Sequence, residues 1–310
     1  MFKQITEIFD LIDDAGVNCS KVAEFFTSKN AKIVLTKTVK CKKGITGFIK
    51  ITVPGQNGKV SGGRAPTLGI IGRLGGVGIR PNKVGVVSDA DGAIVTLSCA
   101  LKLLDMQKKG DFLEGDVILA TQICPSALIQ PHKPVPFVTS PADMKTINKF
   151  EVDKAMGAIL CVDSTKANRI IKWRGFAISP TVKEGWILKV SDDLITIMEW
   201  VTGRVARVLP ITMQDITPYG NGIYHINSIM QPATATDAPV VGVAITTEVP
   251  VPGCSTGSSH IIDIEEVSRF CIEVAKAFGK GECNFYDKRE FNLIKRKYGS
   301  MKHLLTVGDD

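Results

Sequence analysis

Between Thr67 and Thr246 the sequence alternates short, continuous apolar runs with segments long enough to form helices. An unbroken apolar run buries both faces of a strand, and such strands lie in sheets that helices cover on both sides. We therefore expect a three-layer α/β/α sandwich around a mixed, largely parallel central sheet. The predicted strands are TLGIIG (67–72), KVGVV (83–87), DVILAT (116–121), AILCV (158–162) and VVGVAIT (240–246).

The two ends of the chain have different patterns. Apolar residues at helical spacing predict helices within residues 1–30, and the β-branched, alternating residues 32–53 predict a hairpin. A final amphipathic helix is predicted for Asp263–Phe278, with Asp263 and Glu266 as a capping pair and Gly279 as the stop. We expect one α/β domain over residues 1–310, with an N-terminal helical and hairpin extension (1–66), a core (67–279) and a basic C-terminal tail (280–310).

Composition narrows the class of protein. Of 310 residues, 44% are hydrophobic and 22% charged, so a sizeable core is available. The eight cysteines form no CxxC pair, which disfavours a disulfide framework and a zinc knuckle. No apolar run reaches the length of a membrane helix, which disfavours a membrane partner. The net charge is +7, and the basic cluster near the C-terminus is typical of a solvated helix face rather than a nucleic-acid partner. We expect a cytoplasmic protein.

Polar residues follow several predicted strands. Asp89 and Asp91 follow the second predicted strand, Asp163 follows the fourth, and His260 lies in the loop after the last. In open α/β sheets, ligands bind beyond the carboxyl ends of the strands. Carboxylates and an imidazole are ligands for a divalent ion such as zinc, whereas Asp89 is equally suited to cap the following helix.

Four stretches resemble the zinc-dependent aminopeptidase superfamily, in particular its deblocking and glutamyl aminopeptidases with a phosphorylase/hydrolase-like fold. These stretches are SDADGAIVTLSCALKLLDM, DVILATQICPSA, AILCVDSTKAN and APVVGVAITTEVPVPGCSTGSSHIIDIEEVSRFCIEVAKAF. The resemblance implies that Asp89 bridges two metal ions and that Asp163 and His260 each bind one. Asp91, two residues after Asp89, is a further candidate metal ligand. A bound Zn, Mn or Co ion would activate water to hydrolyse an amide bond.

The sequence departs from the pattern of that superfamily, as expected of a divergent branch. Where the superfamily has its first metal-binding His, this chain has Gly72, Arg73 and Leu74. The two adjacent glutamates of the superfamily would fall near Ile123 and Cys124, where this chain has no carboxylate. Two other residues are candidates for the catalytic base, and the first of them is also a candidate metal ligand or simply a surface histidine. They are His132, in a Pro-rich loop, and Glu248, directly after the last predicted strand.

A glycine-rich run, GRLGGVGIRP, follows the first predicted strand. Consecutive backbone N–H groups around Gly75 and Gly76, beside Arg73, are suited to bind the carboxylate of a substrate. Tight turns without a ligand are an equally good explanation of the same glycines. The run has neither a Walker motif nor a dinucleotide fingerprint.

Cys124 and Cys254 suggest a second chemistry, because both are predicted in loops at strand ends. Two facing thiols can remove and return a proton next to a carboxylate, as cofactor-independent amino-acid racemases do. Cys254 and the adjacent Ser255 are then substrate-binding residues and Cys124 is catalytic. Buried structural cysteines are the alternative.

The sequence thus supports three hypotheses. The first is a metal-dependent hydrolase of small peptides or N-acylated amino acids, and the second is a protein of the same fold that binds such ligands without hydrolysis. The third is a two-cysteine racemase or isomerase. In each case the partner is a small molecule or a short peptide, and homo-oligomers are expected by analogy with the aminopeptidases.

Overall fold

The computed structural model describes residues 1–14, 16–73, 75, 86–165, 167–225, 228–251 and 259–307. The helices are α1 (Phe2–Ile12), α2 (Cys19–Ser28), α3 (Asp91–Gln107), α4 (Met144–Glu151), α5 (Asp192–Thr202), α6 (Ile261–Lys280) and α7 (Lys288–Tyr298). The strands are β1 (Ile33–Cys41), β2 (Gly44–Val53), β3 (Leu68–Gly72), β4 (Val117–Ile123), β5 (Leu128–Gln130), β6 (Phe137–Thr139), β7 (Ala158–Thr165), β8 (Gly175–Ile178), β9 (Val182–Lys183), β10 (Trp186–Ile187) and β11 (Val240–Thr246). Short 3₁₀ helices include Ser88–Ala90 and Ser228–Ala235.

A mixed sheet forms the middle layer. Its strand order is β1-β2-β4-β3-β7-β11-β9-β10, and β8 also pairs with β11. The four central strands β4, β3, β7 and β11 are parallel, whereas β1, β2, β8, β9 and β10 pair in antiparallel fashion. The carboxyl ends of the four parallel strands therefore lie at one edge of the sheet, which we call the carboxyl edge. The expected sandwich with a largely parallel centre is confirmed.

Helices cover both faces of this sheet. On one face α1, α3 and α6 pack against each other and against the strands, and α3 is buried along nearly its whole length. On the other face lie the 3₁₀ helix Ser228–Ala235, which packs into a second apolar cluster, and α4, whose Ile147 packs with Phe48 of β2. The fully buried central strands have the continuous apolar sequences that this two-sided cover requires.

The N-terminal extension contributes strands to the central sheet itself. The hairpin β1–β2 closes at Cys41 and Gly44, and β2 then pairs along its length with β4. At the other end of the chain, the predicted tail contains α7. The carboxylate of Asp287 caps this helix by accepting bonds from the amides of Arg289 and Glu290.

Two predictions about helix ends are wrong. Gly279 lies inside α6, which continues to Lys280. A Cβ at Gly279 would stand 2.7 Å from the backbone nitrogen of Gly115. Glycine is required there for close approach to a neighbouring loop, not for termination. No side chain caps α6, because Asp263 pairs with Arg174 instead.

The start of α3 also differs from expectation. No side chain caps α3, so the predicted capping role of Asp89 is wrong. Of the strand predicted for 83–87, only Val86 and Val87 are described, and they are not in a strand. Among the described residues, no helix is both long and apolar enough to span a membrane.

Candidate functional site

Three aspartates from two segments come together at the carboxyl edge. Asp163 lies near the end of β7, directly opposite Ala244 of β11. Asp89 lies in the 3₁₀ turn before α3, and Asp91 is the first residue of α3. All three are buried, with exposed fractions of 6%, 8% and 2% for Asp163, Asp89 and Asp91. We call these three residues the carboxyl cluster.

Asp163 accepts hydrogen bonds from both neighbouring elements. One carboxylate oxygen accepts from the amide of Ser164 at 2.8 Å, and the other accepts from the hydroxyl of Ser228 at 2.9 Å. Burial is the main reason that the pKa of Asp163 is raised to about 6; the hydrogen bond from Ser228 opposes the rise, and the nearby negative charge of Asp89 adds to it. This carboxyl group therefore titrates near neutral pH.

Asp89 connects α3 with the small β5–β6 sheet. Its carboxylate accepts a bond from the amide of Val138 at 3.1 Å and a longer one, 3.4 Å, from the hydroxyl of Ser164. Ser164 therefore contacts both Asp89 and Asp163. This shared serine places the two carboxylates beside each other.

Asp91 is the most deeply buried member of the cluster. Burial holds its pKa well above the usual range, and the charges of Asp89, Asp263 and Asp163 raise it further. The hydroxyl of Ser259, just before α6, donates a hydrogen bond to Asp91. Asp91 thus joins the starts of α3 and α6 while its ionisation is disfavoured.

An aromatic residue extends this network away from the cluster. Burial raises the pKa of Tyr219, the charge of Asp163 adds to the rise, and the neighbouring hydroxyl of Ser228 lowers it. The Tyr219 ring lies 4.5 Å from the ring of His225, whose Nε2 is 3.0 Å from the hydroxyl of Thr217. Because these residues come from an irregular segment with no apolar periodicity, sequence reasoning missed the roles of Tyr219 and Ser228.

Arg73 lies in a buried ion pair. Its Nε is 3.2 Å from the carboxylate of Glu151 in α4, and both side chains are essentially inaccessible to solvent. Its Nη2 also donates to the side-chain oxygen of Asn148. Burial raises the pKa of Glu151 to about 7 although Arg73 opposes the shift. The guanidinium of Arg73 is thus engaged within the protein, and substrate binding by it would require this pair to separate.

Gly75 and Cys124 hold the ends of β3 and β4 together. The carbonyl oxygen of Gly75 accepts a bond from the amide of Cys124 at 3.1 Å. A Cβ at Gly75 would lie 1.6 Å from the carbonyl oxygen of Gln122, and its φ is +53°. The thiol of Cys124 is completely buried, and burial raises its pKa to about 11. At neutral pH this thiol is protonated, which is unsuited to a proton-abstracting role.

The remaining predicted site residues lie outside the carboxyl cluster or outside the described residues. His132, Glu248 and His260 are exposed. The backbone carbonyl of His260 begins α6 by accepting from the amides of Asp263 and Ile264. Gly76, Cys254 and Ser255 lie outside the described residues, so their predicted roles in substrate binding stay predictions.

The described residues do not fit the dinuclear centre that the sequence resemblance implies. No group of three or more His, Cys, Asp and Glu side chains in the described ranges is arranged to hold a metal ion. Both oxygens of Asp163 already accept hydrogen bonds from serines. At the position of the missing glutamates, Ile123 and Cys124 are completely buried. We therefore assign no reaction step to a metal.

The fold is shared with a solved enzyme. The bottromycin maturation enzyme BotP matches with a TM-score of 0.53 at 14% sequence identity, covering 90% of this chain and 70% of that one. The crystal structure of Legionella pneumophila LapA aminopeptidase gives a TM-score of 0.48 at 11% identity, with coverages of 93% and 72%. At these identities the likeness to BotP shows a common fold and leaves activity open.

Sequence comparison gives the family. No curated protein matches the chain. A family profile described as "Protein of unknown function (DUF1177)" matches residues 37–308, which is most of the sequence. The chain therefore belongs to the DUF1177 family.

Proposed function

We propose that the chain is a peptidase-like hydrolase that cleaves the amide bond of a small peptide or an N-acylated amino acid at the carboxyl edge. The observation that carries this proposal is the carboxyl cluster. Three buried aspartates lie within electrostatic range of one another at the edge where open α/β sheets bind ligands. The resemblance of the surrounding segments to aminopeptidases supplies the reaction class.

The energetics of the cluster favour a functional role. Burying a carboxylate is unfavourable, and placing like charges together raises the free energy of the folded state further. At Asp91 and Asp163, whose pKa values burial raises, an uncharged serine or asparagine would not carry this cost. Strongly perturbed carboxyl groups in such places are characteristic of active sites.

Asp163 has the properties of a general acid–base in amide hydrolysis. With a pKa of about 6, its ionised form is the main form at neutral pH and is still basic enough to accept a proton. Asp163 would take a proton from water as the water oxygen bonds to the carbonyl carbon. It would return that proton to the amide nitrogen as the carbon–nitrogen bond breaks. Ser228 would hold the carboxylate in place throughout.

Binding without hydrolysis is the second candidate, and a specific observation favours it. Ile123 and Cys124 stand where the aminopeptidase pattern has its glutamates, so these positions have no carboxylate. Both side chains are also completely buried. A protein of this kind would keep the ligand pocket of the fold as a sensor or carrier of peptides.

One experiment separates the two candidates. The full chain, freed of metal by chelation, is incubated with a panel of dipeptides and N-acetyl amino acids, and products are followed by mass spectrometry. Parallel samples receive Zn, Mn or Co, and thermal shifts are recorded for each compound. We expect turnover of at least one compound, and a stimulation by metal would support the predicted divalent ion. Thermal stabilisation without turnover would instead support the binding protein. If no compound is turned over and none stabilises the protein, both candidate functions are contradicted.

A further inference from the structure

The chain contains a long segment with no acidic residue. From Phe25 to Ser88 there are twelve Lys and Arg residues and no Asp or Glu. Because the whole chain carries a net charge of +7, the rest of the molecule is net acidic. The positive charge of this protein is therefore concentrated in the hairpin β1–β2 and in the segments directly before and after it.

Much of this charge lies along one edge of the sheet. β1 is the terminal strand of the sheet order, and it pairs with β2 on one side only among the described residues. Exposed lysines stand before, within and directly after this strand: Lys32, Lys37, Lys40, Lys42 and Lys43. We call these residues the β1 lysines.

The outer side of β1 has the shape of a template for another strand. It runs for nine residues from Ile33 to Cys41 without proline, and its register with β2 has no bulge. Alternate residues of an edge strand direct their backbone N–H and C=O groups outward, where a further strand can pair with them. Thr36 and Thr38 are exposed, and Leu35 is 61% exposed, so an incoming strand meets hydroxyl and apolar contacts as well as backbone groups.

The β1 lysines have no acidic partner in the part of the chain that the structure describes. Among the described residues none of the five forms an ion pair, whereas Lys50 on the neighbouring strand β2 is 2.9 Å from Asp153. Lys37 and Lys40 are three positions apart, so they project from opposite faces of β1. A strand laid along this edge would therefore meet positive charge on both of its faces.

The positive charge of the β1 lysines favours an acidic partner strand over a second copy of this chain. A second copy of the chain would bring its own β1 lysines against these, and like charges facing each other across strands are destabilising. A segment with acidic side chains would gain opposite-charge pairs while its backbone completes the sheet. We propose that the outer edge of β1 binds an extended acidic segment of a partner protein, which joins the sheet as an additional strand. This proposal is independent of the carboxyl edge and of hydrolysis.

The test uses a synthetic probe and the full chain. A fluorescein-labelled peptide of alternating Glu and Thr is titrated with the protein, and binding is followed by fluorescence polarisation. Hydrogen–deuterium exchange is then measured with and without the peptide. We expect binding that weakens as salt is added, together with slower exchange of the backbone amides of β1.

Variants and a matched peptide make the result specific. Lys37→Glu/Lys40→Glu weakens binding about tenfold or more, whereas Lys37→Arg/Lys40→Arg retains it. Lys109→Glu/Lys280→Glu makes the same charge change at exposed positions away from β1 and leaves binding within about twofold. A peptide N-methylated at alternate residues keeps its charge but cannot pair as a strand on its methylated edge, so we expect it to bind much more weakly.

Three outcomes would overturn the proposal. Equal binding of the N-methylated peptide would show simple charge attraction. Tighter binding of a single-stranded oligonucleotide, without protection of β1, would show a nucleic-acid surface instead. Self-association of Lys37→Glu/Lys40→Glu, with no peptide binding by the parent protein, would show that the lysines only keep copies apart.

Discussion

At the scale of single residues, the carboxyl cluster opposes the stability of the fold. Asp163 has a pKa of about 6 in the folded protein, above the ordinary value of 3.8 for an aspartate. Between these two values the folded chain holds a proton that the unfolded chain has lost. Stability therefore falls as the pH rises through this window, and the destabilisation is complete above about pH 6.

Replacing this carboxylate should make the protein more stable. We expect Asp163→Asn to raise the free energy of unfolding at pH 7.5 by on the order of 2 kcal/mol, and to change it little near pH 3.5. Chemical denaturation at both pH values measures the effect. A loss of stability at pH 7.5 would show that the hydrogen bonds of Asp163 outweigh its burial.

Asp153 is a matched control of opposite sign. Burial alone would raise its pKa, but hydrogen bonds from the Ala155 amide and from Lys50 outweigh that effect and hold the pKa below its usual range. Such a group stabilises the fold above the unfolded pKa, and that contribution disappears as the pH falls. Asp153→Asn should therefore lower stability at pH 7.5.

The buried pair of Arg73 and Glu151 gives a third expectation. Removing Arg73 leaves a buried carboxylate without its partner, so Arg73→Met should lower the free energy of unfolding by roughly 3 kcal/mol at pH 9. At pH 6 the loss should be smaller, because Glu151 is then protonated. The double variant Arg73→Met/Glu151→Leu should recover part of the loss, and a double variant as unstable as the single one would contradict this account.

At the scale of elements, the sequence predicts strands better than loops. The continuous apolar runs of β3, β4, β7 and β11 identify those strands to within three residues at each end, because two-sided burial restricts the residue types along the strand. Helix ends are harder to predict. Gly279 has the sequence signature of a stop, but its role is set by a contact with Gly115 that is remote in sequence.

The glycine after β3 provides a test of this contact-based explanation. Gly75 and Gly110 both have positive φ, +53° and +81°. A Cβ added at Gly75 would collide with the carbonyl oxygen of Gln122, whereas a Cβ added at Gly110 would have no neighbour within 4 Å. Gly110→Ala should lose about 1 kcal/mol from backbone strain alone. Gly75→Ala should lose clearly more, as measured by urea denaturation. Equal losses would show that the loop moves away at no cost.

At the scale of the whole molecule, the fold was predictable and the site only partly so. Asp163 can be recognised in the sequence because it follows the apolar run of β7. Val86 and Val87, from the strand predicted before Asp89 and Asp91, are not in a strand, yet these two aspartates do lie beside Asp163. The serines that orient them, Ser228 and Ser259, come from segments far away along the chain and have no motif. Their positions depend on how loops pack over the sheet, which local sequence patterns do not encode.

The central claim is that the carboxyl cluster is retained for function at the expense of stability. The direct test compares turnover and unfolding free energy of the parent protein with those of Asp163→Asn, using an amide substrate identified in the screen. We predict that Asp163→Asn is more stable at pH 7.5 and loses at least about a hundredfold in kcat, the lower range for removal of a general acid–base. Unchanged kcat in a folded Asp163→Asn protein would contradict the claim.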